Sequence, residues 1–191
     1  MNLTSILDGL IGREGKFSDN PDDRGNYYNG KLEGTMWGIT PAVARSFGYR
    51  GAMRDMERSM AVAIYKDRYW FGPKFDQVDT VDDKIAVRLL DIGVNAGQTT
   101  GVKFLQRALN VLNRQGSDFP DVAVDGVIGP MTLKSMRQFI AKRGQEGRKA
   151  LLFMIAAQHS VYYMEIAEKR PANETFMYGW ITQRAMEGIS L

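Results

Sequence analysis

An acidic segment near the start of the chain carries residue types that could perform acid and base catalysis. Glu14 follows a predicted helix, and Asp19, Asp22 and Asp23 follow it by five to nine positions in a stretch typical of turns. Hydrolysis of a glycosidic bond needs one protonated carboxyl group as the acid and one ionised carboxylate that activates water or attacks the sugar. The end of a helix and partial burial are both expected to raise the pKa of Glu14, which suits the acid. The spacing fits equally a solvated acid followed by turn-forming aspartates.

The composition excludes several other catalytic chemistries. The 191 residues contain no cysteine and one histidine, His159. They therefore provide no disulfide, no thiolate nucleophile and no Cys/His zinc site, and a Ser-His-Asp triad would depend on His159. Because His159 lies in an apolar stretch, we expect it to be a hydrogen-bonded core histidine. The reaction proposed for the acidic segment needs neither a metal ion nor an organic cofactor.

The charge balance and hydropathy limit the possible partners. The 25 Lys and Arg residues exceed the 22 Asp and Glu residues by three, and they are scattered rather than gathered into a basic arm. We therefore expect no nucleic-acid partner, whereas a mildly basic surface suits an anionic polymer such as a cell wall. The chain has no apolar run of membrane-spanning length and no signal-peptide pattern at its start. We expect cytoplasmic synthesis and no stable membrane association.

Apolar periodicity predicts the elements that must position the acidic residues. Residues 15–38 are rich in glycine and in turn-forming residues, which predicts turns and a short β-hairpin. Elsewhere apolar residues recur at helical spacing, with Thr40-Pro41 opening one helix and Thr99 capping another. The pattern predicts a mainly α fold of the α+β type, with about eight helices and a small β-hairpin or loop region near the N-terminus.

Several segments resemble glycoside hydrolase family 108, the phage and bacterial muramidases with a lysozyme-like fold. The resemblance covers nearly the whole chain in the order of the family. Its most specific parts are the acidic run with the Gly-Ile-Thr motif and the Asp-Gly-x-x-Gly-Pro-x-Thr segment. The matching stretches are REGKFSDNPDDRGN (13–26), GTMWGIT (34–40), YKDRYW (65–70), LLDIGVNAGQTTGVKFLQRALNVLN (89–113), VDGVIGPMTL (124–133) and FMYGWITQR (176–184).

The resemblance implies roles for three residues. Glu14 matches the catalytic glutamate of the family, Asp23 stands where lysozyme-like phage enzymes carry their second acidic residue, and Thr35 matches the threonine before Gly-Ile-Thr. The Asp-Pro-Gly-Gly of the family is here Asp-Arg-Gly-Asn at 23–26, and about eight extra residues precede Thr35. Asp22 and Glu33 are therefore rivals for the second carboxylate. Retention or inversion at the sugar depends on the separation of the two carboxyl groups.

Three further residues are candidates for contacts with the sugar. Asp91 and Asn95 lie four positions apart on one predicted helix, so both could bind sugar hydroxyl or N-acetyl groups. They could equally serve as an internal cap and a helix-end residue. Trp37 either lines the cleft or fills the core beneath it, and its size favours the core.

The resemblance also implies a division of the chain. Residues 1–90 would form the catalytic half, and residues 91–191 a helical half that resembles peptidoglycan-binding modules, with the two packed as one body. The second half contains the Asp125-Gly126 turn and Pro130. These residues could equally have only a structural role, since a junction between a loop and a helix needs the same residue types whatever it binds. Gln106 is expected to be structural.

The implied activity is that of a monomeric phage endolysin. It would be an N-acetylmuramidase that cleaves the β-1,4 bond between N-acetylmuramic acid and N-acetylglucosamine of bacterial peptidoglycan, with Glu14 as general acid. It would remain in the host cytoplasm until a holin permeabilises the membrane. It would then degrade the cell wall from the periplasm and lyse the host, which is an antimicrobial activity. The alternatives are a lytic transglycosylase acting on the same bond, and a non-catalytic peptidoglycan-binding or secretion factor.

Overall fold

The computed structural model describes residues 3, 7, 11 and 16–186, which are mainly helical and include one small antiparallel sheet. The predicted mainly α, α+β fold class is confirmed, although the number of helices differs slightly from the eight predicted. The chain divides into two compact units, Met1–Trp70 and Phe71–Leu191. Among the described helices, none combines the length and the apolar character that crossing a membrane requires.

The first unit begins with part of the predicted amphipathic helix. Leu3, Leu7 and Ile11 are helical, and the side chains of Leu7 and Ile11 are fully buried. Their spacing of four places them on one helix face, which agrees with the apolar stripe in the sequence. The other residues of this predicted helix lie outside the described residues.

A short hairpin and two helices make up the rest of the first unit. In chain order the elements are a 3₁₀ turn (Arg24–Asn26), β1 (Tyr27–Tyr28), β2 (Lys31–Leu32), α1 (Pro41–Ser46), a 3₁₀ turn (Met53–Asp55) and α2 (Arg58–Lys66). Asn29 and Gly30 join the strands with φ of 49° and 78°, the pair of positive values that a tight two-residue hairpin turn requires. The side chain of Thr40 accepts a hydrogen bond from Val43 N and so caps α1, as predicted.

The second unit consists of helices. The first unit ends within a π-helical segment (Asp67–Phe71), of which only Phe71 belongs to the second unit. The elements that follow are α3 (Phe75–Asp79), α4 (Asp83–Ile92), a π-helical segment (Gly93–Gly97), α5 (Gln98–Leu112), α6 (Pro130–Lys169), a 3₁₀ turn (Pro171–Asn173), α7 (Glu174–Trp180) and a final π-helical segment (Ile181–Ala185). Thr99 was predicted to cap α5, and this prediction is wrong. The N-cap is Gly97, two residues before Thr99, and the helix begins at Gln98, because Gly97 turns the backbone with a φ of 93°.

Glycine divides the long helix α6 into two. Gly144 has φ 58° and ψ −143°, which no helical residue adopts, so residues 130–143 and 145–169 form separate helices. The sequence predicts the same division, with one helix opened at Pro130 and a second that starts near Gln145. The break changes the direction of the chain and shapes a cleft considered below.

Apolar stripes on the helices form the core of the second unit. Ile85, Leu89 and Ile92 of α4 and Leu105 and Leu109 of α5 are all fully buried. Burying such a side chain contributes about 1.5–3 kcal/mol. The 3.6-residue periodicity read from the sequence therefore identifies the helix faces that hold this unit together.

A buried ion pair joins two helices of this unit. The side chain of Asp82 is fully buried, accepts a hydrogen bond from Ile85 N at the start of α4, and is paired with the guanidinium of Arg148 in α6. Asp82 therefore caps the N-terminus of α4 and also neutralises the charge of Arg148, which lies far away in the sequence.

Candidate active site

The structure describes five of the six residues that the sequence predicts for the site. Asp23, Thr35 and Trp37 lie in the first unit, and Asp91 and Asn95 lie in the second. The predicted general acid, Glu14, lies outside the described residues.

Asp23 holds the acidic turn in place. It is the N-cap of the 3₁₀ turn Arg24–Asn26, and its Oδ1 accepts a hydrogen bond from Gly25 N at 2.8 Å. A Cβ on Gly25 would lie 3.1 Å from this oxygen, so the close approach favours glycine. Asp23 is exposed, as is its rival Asp22. Asp23 thus presents an accessible carboxylate from a turn that it stabilises itself.

Backbone pairing fixes the position of Thr35. Ser18 N donates to Thr35 O at 2.9 Å, and Thr35 N donates to Ser18 O at 2.7 Å. The crossing requires glycine at position 34, because a Cβ there would lie 2.5 Å from the ring of Phe17 and 2.9 Å from Ser18 O. The Thr35 Oγ1 is buried, and among the described residues it has no hydrogen-bond partner. Since buried hydroxyls are usually paired, this one can bind a group that the described residues do not supply.

Asn26 is a site residue that the sequence did not identify. It is fully buried, and its Nδ2 donates to Asn20 O at 3.0 Å. Its backbone oxygen accepts hydrogen bonds from Glu33 N and Gly34 N at 2.9 and 3.0 Å. Asn26 therefore joins the acidic turn to the residues that precede Thr35. The sequence does contain a signal for this role. Asn26 stands where the Asp-Pro-Gly-Gly motif has its last glycine, so the fold must provide space and hydrogen-bond partners for an additional side chain.

Glu33, the other rival for the second carboxylate, is held in an ion pair. Its Oε2 contacts the guanidinium of Arg45, and the two side chains are 17% and 13% exposed. Arg45 also donates to the carbonyl oxygens of Tyr49 and Gly51. This carboxylate therefore stabilises the loop after α1.

Trp37 occupies a strained backbone position. Its φ is 54° and that of Gly38 is 74°, which together make a tight turn that bulky residues rarely enter. The indole Nε1 donates to Met56 O at 3.0 Å, and the Tyr65 hydroxyl donates to Trp37 O at 3.3 Å. The half-buried ring is fixed within the unit while part of it stays accessible. Such strain occurs often at functional sites.

Asp91 and Asn95 contact each other. The Asn95 Nδ2 donates to Asp91 O at 2.7 Å and to Asp91 Oδ1 at 3.2 Å. Arg184 lies 3.6 Å from the same carboxylate, and Asp91 is 9% exposed. The predicted spacing on one helix side is correct. The pair occurs where α4 passes into the π-helical Gly93–Gly97, and Asn95 binds a helix-end carbonyl there.

His159 lies in a polar cluster within the core of the second unit. It is fully buried and its ring centroid is 4.2 Å from that of Tyr163. The predicted core position is correct, but neither ring nitrogen has a hydrogen-bond partner within the described part of the chain. Burial, together with the positive charges of Arg88 and Arg184, lowers the pKa of His159 to about 4. Burial also raises the pKa of Tyr163 to about 12.

The His159 pKa predicts that acid destabilises the protein. The unfolded chain takes up a proton near the ordinary pKa of 6.5, whereas the folded chain does so only near 4. The free energy of unfolding should therefore fall by about 3 kcal/mol as the pH drops through this window, with no further loss from His159 below it. Urea unfolding of the wild type and of His159→Phe at pH 7 and pH 4.5 measures the difference. Equal losses in the two proteins would contradict the prediction, because carboxylates titrate in both.

The Asp-Gly-x-x-Gly-Pro-x-Thr segment forms the junction before α6. The Gln106 Nε2 donates to Asp125 Oδ1 at 2.8 Å, and its Oε1 accepts from Gly126 N at 2.9 Å. Gly126 has a φ of 80°, and a Cβ there would lie 2.4 Å from the Thr99 side chain. The buried Gln106 thus fastens this loop, which agrees with the structural role predicted for it.

Models of two families match consecutive parts of the chain. One, described as "Glycosyl hydrolase 108", matches residues 7–97, and one described as "Predicted Peptidoglycan domain" matches residues 100–185. The first match extends past the boundary between the compact units. The division at residues 90 and 91 stays a prediction.

The fold is shared with a solved structure, that of SagA from Brucella abortus. The two have a TM-score of 0.61 and 22% sequence identity, over 95% of this chain and 87% of SagA. A comparison with curated proteins gave no match. Residues 7–97 thus match the model of glycosyl hydrolase family 108, and residues 100–185 match a peptidoglycan-binding-like domain, so the chain is a glycoside hydrolase that acts on peptidoglycan.

Proposed function

We propose that the protein is an N-acetylmuramidase that hydrolyses the β-1,4 bond between N-acetylmuramic acid and N-acetylglucosamine. The observation that carries the proposal is the connection of the acidic turn to Thr35 through Asn26. The carboxylate of Asp23 and the hydroxyl of Thr35, which has no partner among the described residues, belong to one hydrogen-bonded substructure within the glycosyl hydrolase 108 match. Glycoside hydrolysis requires accessible acidic groups on such a rigid support.

Each catalytic residue has a distinct role in this proposal. Glu14 donates its proton to the oxygen of the leaving sugar. Asp23 positions or activates water, and the Thr35 Oγ1 supplies a hydrogen bond to that water or to Glu14. The ion pair of Glu33 with Arg45 favours an aspartate of the turn as the second carboxylate. Trp37 is proposed as a sugar contact of the first unit, and Asp91 and Asn95 are proposed separately as sugar contacts of the second unit.

Substitutions in the acidic turn test the second carboxylate. Asp23→Asn should lower the turnover rate by about a hundredfold, because an amide cannot act as a base. The fold should survive, since Asn caps helices as well as Asp does. Asp22→Asn is the matched control, because it removes the same charge from the neighbouring exposed residue. Release of reducing sugars from purified peptidoglycan measures both. A larger loss in the Asp22 variant would move the role to position 22.

We further propose that the enzyme works as a phage endolysin, released to the cell wall by a holin. The 191 residues contain no cysteine, so an enzyme folded in the cytoplasm needs no oxidation step to be active in the periplasm. Expression alone in a Gram-negative host should leave the culture intact, and adding a membrane-permeabilising agent should cause prompt lysis. Lysis at the same time without the agent would contradict holin dependence.

A further inference from the structure

A cleft in the second unit lies outside all the residues assigned so far. Its volume is about 590 Å³, and it lies between the end of α5 and the two halves of α6, around the break at Gly144. Its walls combine aliphatic and aromatic carbon with the cationic side chains Arg114, Lys142 and Arg143 and with Glu146, whose carboxylate is paired with Lys149 outside the cleft.

Three cations converge on one buried carboxylate at the edge of this cleft. The Asp118 side chain is 2% exposed and lies 2.8 Å from Arg114, 2.5 Å from Lys142 and 3.4 Å from Arg143. The hydrogen bond from Lys142 is the main cause that lowers the pKa of Asp118. One carboxylate neutralises one of the three cations, so two positive charges remain. The cations are 57%, 47% and 41% exposed, so each can still bind an anion from solvent.

The loop that carries Arg114 is rigid. Arg114, Gln115 and Gly116 have φ of 55°, 57° and 80° in succession. Holding two consecutive non-glycine residues in the left-handed backbone conformation costs conformational free energy. The buried Asn113 fixes the loop, since its Oδ1 accepts from Gly116 N at 3.0 Å and its Nδ2 donates to Asp121 at 2.6 Å. The backbone that carries Arg114 is therefore held in position before any ligand arrives, which lowers the entropic cost of binding.

The floor of the cleft is apolar and accessible. Val111 is 68% exposed although it lies on an otherwise well-packed helix. The buried Gly147 lets the two halves of α6 pack closely beside the cleft, because a Cβ there would lie 2.1 Å from the Cβ of Arg143 and 3.4 Å from the ring of Phe139. The cleft thus offers a surface for small alkyl groups beside a cluster of positive charge.

We propose that this cleft binds the stem peptide of peptidoglycan through its free carboxylates. Stem peptides alternate alanine methyl groups with the carboxylates of glutamate and of a diamino acid, which matches the apolar floor and the excess of positive charge. The cleft lies within the predicted peptidoglycan domain, residues 100–185. The inference rests on the proposed action on peptidoglycan, but it assigns recognition to the peptide rather than to the glycan. Arg and Lys bind carboxylates by charge-assisted hydrogen bonds.

The test uses a glycan-free probe, the tripeptide L-Ala-γ-D-Glu-meso-diaminopimelate, with calorimetry on the full chain. Lys142→Gln with Arg143→Gln should weaken binding by at least about tenfold, since two charge-assisted contacts are lost. Lys134→Gln with Arg137→Gln is the matched control. It removes two exposed charges from the same helix outside the cleft and should bind as the wild type does. Val111→Glu should also weaken binding, and it leaves every ion pair of Asp118 in place.

The outcomes separate this proposal from the catalytic one. Tripeptide binding that both double variants retain, or no binding by the wild type, would overturn the cleft assignment whatever the muramidase assay shows. Tighter binding of glycerol phosphate than of the tripeptide would overturn it in favour of a phosphate ligand. A wild-type protein that binds the tripeptide but releases no reducing sugar from peptidoglycan would instead count against the proposed function. Binding of the tripeptide should weaken as salt is added, and a tripeptide whose three carboxylates are all amidated should not bind.

Discussion

Replacing Glu14 by glutamine is expected to lower the rate of glycosidic cleavage by at least about a hundredfold, because removal of a general acid typically costs that much. Glutamine has nearly the same size but cannot transfer a proton to the leaving oxygen. The fold and the binding to cell walls should therefore remain. The rate is measured as reducing sugar released from purified peptidoglycan, and binding as the fraction that sediments with it.

Asp19→Asn provides the matched control for this experiment. Asp19 is an exposed acid in the same segment, five positions after Glu14, and it has no catalytic role in the proposal. The control should retain the wild-type rate. A Glu14→Gln enzyme that still cleaves at the wild-type rate would remove the general acid from the proposal.

Replacing Arg148 by methionine is expected to produce the largest loss of stability. Asp82 would remain fully buried and charged without its cation, although it would keep the hydrogen bond from Ile85 N. Breaking a buried pair from one side costs about 3–5 kcal/mol, because the remaining charge has lost its compensation. Urea unfolding monitored by circular dichroism measures the change in the free energy of unfolding.

The neighbouring Lys149 supplies the control for the Arg148 experiment. Lys149 is paired with Glu146 on the same helix, but the two side chains are 72% and 82% exposed. Lys149→Met should therefore change the free energy of unfolding by about 1 kcal/mol or less. If the free energy of unfolding fell by similar amounts in the two variants, the burial of Asp82 would not be what makes the loss of Arg148 destabilising.

Local sequence patterns predict the helices of this protein well. Ile85, Leu89 and Ile92 fall on one face at helical spacing, and all three are fully buried. The turn-rich stretch before residue 38 forms the predicted hairpin between Tyr27 and Leu32. These features depend on residues close together in the chain, so periodicity and turn chemistry suffice to find them.

Contacts between distant residues are what the sequence does not reveal. Nothing in the local pattern indicates that Asp82 pairs with Arg148, 66 positions later, or that Asn26 binds the backbone before Thr35. The left-handed backbone of Trp37 is also unexpected, since such a conformation disfavours a bulky residue. In the candidate site, the sequence therefore predicts which acidic residues could act as the second carboxylate. Only the structure shows that one of them, Glu33, forms an ion pair with Arg45.

Mass spectrometry of the products released from purified peptidoglycan distinguishes hydrolysis of the glycosidic bond from the alternatives. Hydrolysis by a muramidase adds one water across the bond and leaves N-acetylmuramic acid as the new reducing end. The wild type should release this product, and Glu14→Gln should release almost none of it. Products that end in 1,6-anhydro-N-acetylmuramic acid would show a lytic transglycosylase, and no released sugar at all would show a non-catalytic wall-binding protein. Either result would contradict the proposed hydrolysis.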